Sequence, residues 1–290
     1  MNETADQRGL KGFLNKGGFW RLVPVVIVYI AIYLLAGKVI VWLTGDWGRG
    51  DLLDSLSTVF VQLTFGLLVG AVVLALFTRW MGWNGELYGR QRIYRSWWMW
   101  LGPIIALIPI VMRAAGIDWG GRPLTISAFV LFSGLFVGFV EEMLCRGIAV
   151  KMLRDAGHGE FVVAALSSLT FALLHATNLL SGQALRTTLI QMFYTFGFGV
   201  LMYLTLRSTR FLVFAMLVHG LTDPMGALAN GGIGDDATAT ALNPLLNAAG
   251  LLTIPIGLAG LILLLFVRGK YGETTKGHHG SGAAAPAAGV

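Results

Sequence analysis

The residues of this sequence best suited to chemistry are a few carboxylates, imidazoles and their polar neighbours, set inside long apolar runs. In chain order they are Glu141, Glu142, Arg146, His175, Asn178, His219 and Asp223. Carboxylate and imidazole groups transfer protons, activate water and bind metal ions. An ionisable group inside a lipid bilayer is costly, so each of these residues is a functional candidate whose partner should be identified.

Spacing along a helix assigns these residues to faces. Neighbouring helical residues point about 100° apart, so Glu141 and Glu142 face different directions. Glu142 and Arg146 are four residues apart and are predicted to pair on one face. Glu141 is then the freer carboxylate, able to face a cavity between helices. His219 and Asp223 are also four apart, so we expect Asp223 to orient the imidazole or to share its proton.

The elements that carry these residues are long apolar stretches. Of the 290 residues, 56% are hydrophobic and only 12% are charged, with a mean hydropathy of +0.71. Soluble domains are charged at about a quarter of their positions, and a spanning helix needs roughly 20 apolar residues. The stretches of this length are approximately 19–43, 59–77, 97–112, 125–149, 161–180, 187–206, 211–229 and 246–267. The sequence therefore predicts an all-α, multi-pass membrane bundle of about eight transmembrane helices.

One membrane domain accounts for most of the chain. We expect a cytoplasmic segment over residues 1–18, the transmembrane bundle over 19–267, and a disordered tail rich in Gly, Ala and Ser over 268–290. Residues 230–240 are typical of an external loop. Residues 79–95 mix arginine with tryptophan and tyrosine, which fits either a helix lying on the lipid headgroups or a basic loop. The single cysteine, Cys145, excludes an internal disulfide.

The net charge of +6 is distributed in a way that indicates how the chain is oriented in the membrane. It does not indicate binding of nucleic acid. If both termini are cytoplasmic, sixteen of the 21 lysines and arginines fall on the cytoplasmic side, as the positive-inside rule requires. We therefore expect the lipid bilayer, and neither DNA nor RNA, to be the partner of this charge. The short loops favour the cytoplasmic membrane of a bacterium.

The candidate residues are predicted to lie at similar depth. From the cytoplasmic ends of their helices, Glu141, His175, His219 and Asp223 are displaced by roughly 12–21 Å at the rise of an α-helix. Residues from three separate helices would then converge in one layer. A buried structural network of ions and hydrogen bonds is the alternative. Convergence of two glutamates, two histidines and one aspartate favours function instead.

Three short patterns on successive helices resemble those of a known family. The family is that of the CAAX proteases and bacteriocin-processing enzymes, often called CPBP or Abi, with the pattern Glu-Glu-x-x-x-Arg, Phe-x-x-x-His and His-x-x-x-Asn/Asp. This chain has Glu141-Glu142-x-x-x-Arg146, Phe171-x-x-x-His175 and His219-x-x-x-Asp223, in that order. The resemblance covers about 100 residues, 127–229, and implies a catalytic core in helices four to seven.

The resemblance implies an intramembrane glutamate-dependent endopeptidase without a metal cofactor. Glu141 takes the position of the general base that activates water, and His175 that of a residue that holds or polarises this water. Glu142 and Arg146 take the positions of a supporting pair. Asn178 is not part of the family pattern, and its position one turn after His175 makes it a further supporting candidate. His219 and Asp223 take the positions that stabilise the oxyanion. Prenyl-protein members carry asparagine at the last position, so Asp223 must be protonated to donate a hydrogen bond, or must act by orienting His219.

The residues alone are also compatible with other kinds of catalytic site. Zinc held by His175, His219 and a glutamate is one of them, although the His-Glu-x-x-His signature is absent. The string Gly232-Ile233-Gly234-Asp235 matches a presenilin-like pattern but lies in a polar loop and is interpreted as a turn. Ser133-Gly134 does not fit a rhomboid-like serine site.

Two non-proteolytic functions are the remaining alternatives. One is a membrane scaffold, immunity or regulatory protein that keeps the same fold. The other is a proton-coupled transporter, which the lack of an evident inverted repeat disfavours. The preferred prediction is hydrolysis of a peptide bond in a peptide or membrane-protein substrate, near the cytoplasmic side of the membrane.

Overall fold

Eight long apolar helices make up most of the described chain. The computed structural model describes residues 9–93, 95–232 and 243–272. The helices long enough to cross a membrane are α1 (Phe19–Gly48), α2 (Leu56–Met81), α3 (Trp97–Gly116), α4 (Leu124–Asp155), α5 (Glu160–Ser181), α6 (Leu185–Thr209), α7 (Leu212–Asn230) and α8 (Pro244–Leu264). Within those described ranges no β-strand occurs. The predicted all-α class and the eight helices are confirmed, and the chain is an integral multi-pass membrane protein.

Several of these helices change their winding along their length. The segments Phe60–Thr64 in α2 and Met143–Ala149 in α4 are π-helical. The segments Gly45–Gly48, Trp97–Trp100 and Ala176–Ser181 are 3₁₀ turns at helix ends. Helix α8 consists of two α-helical pieces, Pro244–Leu251 and Thr253–Leu264. Two short helices, Gly9–Asn15 and Asn84–Tyr88, lie outside the spans.

Helix α6 lies at the centre of the bundle. Every residue from Gly197 to Ser208 is buried, and the helix packs against α3, α5, α7 and α8. Helix α1, in contrast, exposes large apolar side chains such as Ile27, Val28 and Leu35 along its outer face. An outer apolar surface of this kind is what lipid tails require, because they cannot hydrogen-bond. Helices α6 and α7 are the most buried of the eight spans, and α1 lies on the outside of the bundle.

One end of the bundle, here termed the basic end, consists of residues 9–18, 82–93, 95–96, 152–160, 210–211 and 265–272. Its segments contact one another: the indole of Trp83 donates to Asn15, and the amide of Gly18 donates to the carbonyl of Met152. The amide of Glu160 donates to the carbonyl of Gly269. These contacts join segments that are far apart in sequence, so the basic end is a packed layer.

A buried ionic cluster stabilises this layer. Arg154 donates to both carboxylate oxygens of Glu160, at 2.9 and 2.8 Å, and to Gln91 at 2.6 Å. Glu160 also accepts from the hydroxyl of Tyr203, and Arg207 lies 3.5 Å from the same carboxylate. Fork-shaped pairing of arginine with a carboxylate offsets much of the cost of burying both charges. This cluster joins α4, α5 and α6 at their basic ends.

Several predictions concern residues outside the described ranges. These are residues 1–8 of the N-terminal segment, 233–240 of the proposed external loop, and 273–290 of the proposed tail. The segment 79–95, for which a headgroup helix and a basic loop were both open, contains the five-residue helix Asn84–Tyr88 and irregular backbone from Gly89 to Ile93.

Candidate active site

Glu141 and Glu142 lie at a change of winding in α4. The regular α-helix runs over Leu124–Glu142, and the next seven residues, Met143–Ala149, are π-helical and wholly buried. A π-turn inserts extra backbone into one turn and often occurs at functional sites. Arg146 lies inside this turn, and its Nη1 donates to Oε1 of Glu142 at 3.0 Å. The predicted pairing of Glu142 with Arg146 is confirmed.

The imidazole of His219 lies between the two glutamates. Its Nδ1 is 2.7 Å from Oε1 of Glu142, and its Nε2 is 3.3 Å from Oε2 of Glu141. The same Nε2 is 3.9 Å from Oδ2 of Asp223. An ionised carboxylate only accepts hydrogen bonds, so Nδ1 is the donor to Glu142. The ring orientation is thus set mainly by Glu142, whereas the sequence alone favoured Asp223 for this task.

Glycines allow α4 and α7 to approach closely enough for these contacts. A Cβ atom added to Gly138 would lie 2.0 Å from the carbonyl oxygen of Met216, and one added to Gly134 would lie 2.2 Å from that of Gly220. Small residues four apart are a common device for close helix packing in membranes. Because Gly138 precedes Glu141 by less than one turn, this contact determines how near the glutamates come to His219.

Aromatic rings enclose the imidazoles. The ring of Phe171 packs edge-to-face against His175 at 4.9 Å and against His219 at 5.2 Å, measured between centroids. Phe198 also packs edge-to-face against His219, at 5.1 Å. The guanidinium of Arg146 lies 4.7 Å from the centre of the Phe171 ring. Such apolar walls exclude water and strengthen the electrostatic interactions among the polar groups.

His175 lies beside the cluster, at the end of the α-helical part of α5. Its Nδ1 is 3.0 Å from the carbonyl oxygen of Phe171. A carbonyl accepts only, so Nδ1 carries the proton, and Nε2 is the acceptor of the neutral ring. His175 is within electrostatic range of Glu141, and its ring contacts the same phenylalanine, Phe171, as His219 does.

Solvent exposure divides the cluster into a sealed part and an open part. The side chains of Glu142 and Arg146 are 0% exposed, and that of His219 is 1% exposed. The side chains of Glu141 and Asp223 are 23% and 47% exposed. Glu141 and Asp223 are therefore the accessible side chains of the cluster, while Glu142, Arg146 and His219 are enclosed. The predicted freer position of Glu141 is confirmed.

Asn178 is the candidate residue that the structure does not bring into the cluster. Its side-chain amide donates to Oε1 of Gln191 at 2.9 Å, and Gln183 donates to the same oxygen at 3.1 Å. These bonds hold the connection between α5 and α6.

Sequence reasoning missed several neighbours of the candidate residues. Tyr29 and Tyr33 of α1 are within electrostatic range of Glu141. Phe198 carries no motif, although it contacts His219 directly. No signal in the sequence distinguishes these aromatic residues from others in apolar helices. Phe171 was part of a recognised pattern, and its contact with both histidines gives that pattern a physical reason.

Three side chains are arranged so that they could hold a metal ion. One ligand atom each of Glu141, His219 and Asp223 lies within 4.8 Å of the others. Three protein ligands with an open fourth position are typical of catalytic zinc sites. The zinc alternative drawn from the sequence used His175, which does not belong to this group.

A comparison with protein families matches the part of the chain that contains this cluster. Residues 123–225 match the model described as type II CAAX prenyl endopeptidase Rce1-like. The chain carries an Rce1-like domain. A comparison with curated proteins found no match. The Rce1-like domain extends from the start of α4 into α7 and includes all the residues of the cluster. Rce1-like proteins are a protease family, which supports a peptidase activity for this chain.

Proposed function

We propose that this protein is an intramembrane endopeptidase in which Glu141 activates a water molecule to hydrolyse a peptide bond. The observation that carries the proposal is the placement of His219, with Nδ1 on the sealed Glu142 and Nε2 beside the open Glu141 at 3.3 Å. This arrangement pairs a reachable base with a positioned imidazole. It lies within the Rce1-like domain, whose family consists of proteases.

Glu141 takes one proton from the attacking water as the oxygen bonds to the peptide carbonyl carbon. The carbonyl electrons move to the oxygen and form a tetrahedral oxyanion. Glu141 then returns the proton to the amide nitrogen as the C–N bond breaks, leaving a carboxylic acid and an amine. General acid–base catalysis of this kind contributes about 10²–10⁴-fold in rate. The free Nε2 of His175 accepts a hydrogen bond from the same water and helps to orient it.

His219 supplies the donor for the oxyanion. Glu142 accepts its Nδ1–H, and the guanidinium of Arg146 donates to the same carboxylate oxygen at 3.0 Å. In its protonated form, His219 presents Nε2–H to the open side of the cluster, where the oxyanion forms. A fixed donor in a site walled by Phe171 and Phe198 stabilises such a charge more than one in water.

Asp223 acts at the open edge of the same site. Its Oδ2 lies 3.9 Å from Nε2 of His219, so it makes no direct hydrogen bond in the substrate-free arrangement. As a carboxylate, Asp223 stabilises the imidazolium before substrate binds. When protonated, it donates to the oxyanion, as an asparagine amide does in the prenyl-protein members of the family that the sequence resembles.

The substrate is a peptide or membrane-protein segment that enters from the cytoplasmic side. The matched family takes its name from CAAX prenyl endopeptidases, so a farnesylated peptide ending in a CAAX sequence is the first assay probe, whereas a leader peptide or membrane-protein segment would be the substrate in a bacterium. We propose that both termini are cytoplasmic, because the positive-inside bias of the sequence favours that side for the basic end, and the short loops favour the cytoplasmic membrane of a bacterium.

The test is cleavage by the purified protein in lipid. Fluorogenic peptides, with and without a farnesylated CAAX end, are incubated in isotopically labelled water under single-turnover conditions. The proposal predicts cleavage with one labelled oxygen in the new carboxyl group and no label in the protein. Label in Glu141 would indicate an acyl-enzyme instead. No cleavage of any peptide, with substrate binding intact, would favour a non-proteolytic scaffold or regulatory role.

A metal-dependent protease is the second candidate function. It is favoured by the grouping of Glu141, His219 and Asp223 and by the carboxylate of Glu142 on Nδ1 of His219. Metal-bound histidines commonly donate their other N–H to a carboxylate in this way. Loss of cleavage on treatment with a chelator, restored by zinc, would support it. Unchanged cleavage would support water activation by Glu141 alone.

A further inference from the structure

A cleft of about 920 Å³ opens at the basic end, away from the candidate active site. Here it is termed the arginine cleft, because Arg90, Arg92 and Arg210 line it. Its other lining residues are Gly85, Glu86, Gly89, Gln91, Ile93 and Tyr271. It lies between the short helix Asn84–Tyr88 and the turn that joins α6 to α7. The cleft therefore sits where two spans end.

The positive charges of the cleft are not neutralised within the described part of the chain. No carboxylate of those residues forms an ion pair with Arg90, Arg92 or Arg210. The one acidic lining residue, Glu86, already accepts from Lys151 at 2.7 Å. Nε of Arg210 is buried and has no hydrogen-bond partner among the described residues. The cleft thus presents three cations and an unsatisfied buried donor.

The arginines are close enough to repel one another. Desolvation, followed by the charges of Arg90 and Arg95, lowers the pKa of the Arg210 guanidinium below its ordinary value. The side chain still carries its charge at neutral pH, because arginine remains protonated far above pH 7. An anion in the cleft would relieve this repulsion.

Hydrogen bonds between separate segments fix the walls of the cleft, so its shape is defined by the fold. The amide of Gln91 donates to the carbonyl of Arg210 at 2.9 Å, and the Gln91 side chain accepts from Arg154 at 2.6 Å. The carbonyl of Arg92 accepts from the amide of Gly272 at 3.1 Å. Four separate segments of the chain therefore meet around this space. The backbone of Arg210 has φ of 70°, a left-handed conformation that the surrounding contacts hold in place.

The location favours a ligand of the membrane surface. Trp97, at the start of α3, is 82% exposed, and Tyr88 at the edge of the cleft is 45% exposed. Exposed tryptophan and tyrosine mark the level of the lipid headgroups. Arginine binds phosphate through two parallel hydrogen bonds, and basic pockets between spanning helices are typical headgroup sites.

We propose that the arginine cleft binds the phosphate of an anionic phospholipid headgroup. Arg90, Arg92 and Arg210 contact the phosphate oxygens, and the acyl chains follow the outer surface of the adjoining spans. The proposal does not depend on peptidase activity, so its test uses binding alone.

The experiment measures binding of short-chain lipids to the full chain in a neutral detergent. Dihexanoyl-phosphatidylglycerol is titrated and bound lipid is counted by native mass spectrometry. Dihexanoyl-phosphatidylcholine and inorganic phosphate are the comparison ligands. We expect saturable binding of the anionic lipid, and binding of the other two to be at least tenfold weaker. Equal binding of inorganic phosphate would assign the cleft to a free anion, and equal binding of the choline lipid would remove the role of charge.

Two pairs of substitutions locate the binding. Arg90→Ala/Arg210→Asn removes two cleft charges, with asparagine chosen because it tolerates a left-handed backbone. Arg79→Ala/Arg268→Ala removes two exposed charges at the same end, outside the cleft. Because each basic group beside an anionic headgroup contributes roughly fivefold, loss of two that contact the phosphate should weaken binding about 25-fold. The control pair, which lies outside the cleft, should weaken it less than about threefold.

A further variant is a control for misfolding of the cleft pair, because it leaves Arg210 unchanged. Arg90→Ala/Arg92→Ala alters two exposed side chains only and should weaken binding to a similar degree. Equal losses in the cleft and control pairs would mean that the lipid responds to the overall charge of this end, and the proposal would be wrong.

Discussion

Replacement of Gly138 by alanine tests whether close packing of α4 on α7 sets the geometry of the site. A Cβ at this position would lie 2.0 Å from the carbonyl oxygen of Met216 and 2.7 Å from the amide nitrogen of Gly220. Both atoms belong to backbone, so no side chain can rotate away. Contacts of Cβ atoms below 3.0 Å are essentially never observed, so the helices must separate by about 1 Å.

This separation acts directly on His219, which lies between Met216 and Gly220 on α7. Moving it by about 1 Å would lengthen the 2.7 Å contact with Glu142 beyond the normal range of a hydrogen bond. Misplacement of a catalytic group by about 1 Å lowers rates roughly 100-fold, equivalent to about 2.7 kcal/mol in activation free energy. We therefore expect Gly138→Ala to lose about two orders of magnitude in kcat and to remain a folded helical bundle.

The assay is cleavage of a fluorogenic peptide in lipid, with circular dichroism to confirm the fold. The matched control is Gly37→Ala, also a helical glycine, around which a Cβ would meet no atom within 4 Å. This control should keep full activity, and alanine should stabilise its helix by up to about 1 kcal/mol. Parent-like activity of Gly138→Ala would refute the claim that this helix contact positions His219.

Three further predictions concern the partners of the site. Glu142→Gln should lower the free energy of unfolding by about 3 kcal/mol, measured by denaturation in detergent, because it leaves the charge of Arg146 buried without its counter-ion; an unchanged stability would contradict the importance of this pair. Asn178→Ala should leave peptide cleavage within about twofold of the parent, because its amide contacts Gln191 and not the cluster; a loss above tenfold would return Asn178 to the site. Prolonged dialysis against a chelator should leave cleavage unchanged, and a loss reversed by zinc would transfer the mechanism to a metal.

The eight spans were predictable because each depends on a local property, the length of an apolar run. The pairing of Glu142 with Arg146 was predictable for the same reason, since a spacing of four residues fixes a shared helical face. The predicted spans and the predicted ion pair are both present, although α4 changes to a π-helix at Met143. The π-turn itself was not predicted, because one extra residue in a single turn leaves no mark on a pattern of apolar residues.

The contact between His219 and Glu142 was not predictable, because it depends on how two helices pack. Gly134, Gly138 and Gly220 were visible in the sequence, but their effect depends on facing one another across α4 and α7. The sequence connected His219 with Asp223, its nearest polar neighbour on the same helix. A residue on another helix lies closer, at 2.7 Å against 3.9 Å. Asn178 is close to His175 in sequence, but its side chain contacts Gln191 and lies outside the cluster. Proximity in sequence was therefore misleading here.

The most direct test of the central claim compares Glu141→Gln with the parent and with Glu86→Gln in lipid. Both variants exchange a glutamate for its neutral amide, but Glu86 lies at the basic end and contacts Lys151. With a peptide that the parent cleaves, the account predicts that Glu141→Gln lowers kcat about a thousandfold and that Glu86→Gln stays within about twofold. Cleavage by folded Glu141→Gln at more than about a tenth of the parent rate would contradict the role of Glu141 as the base.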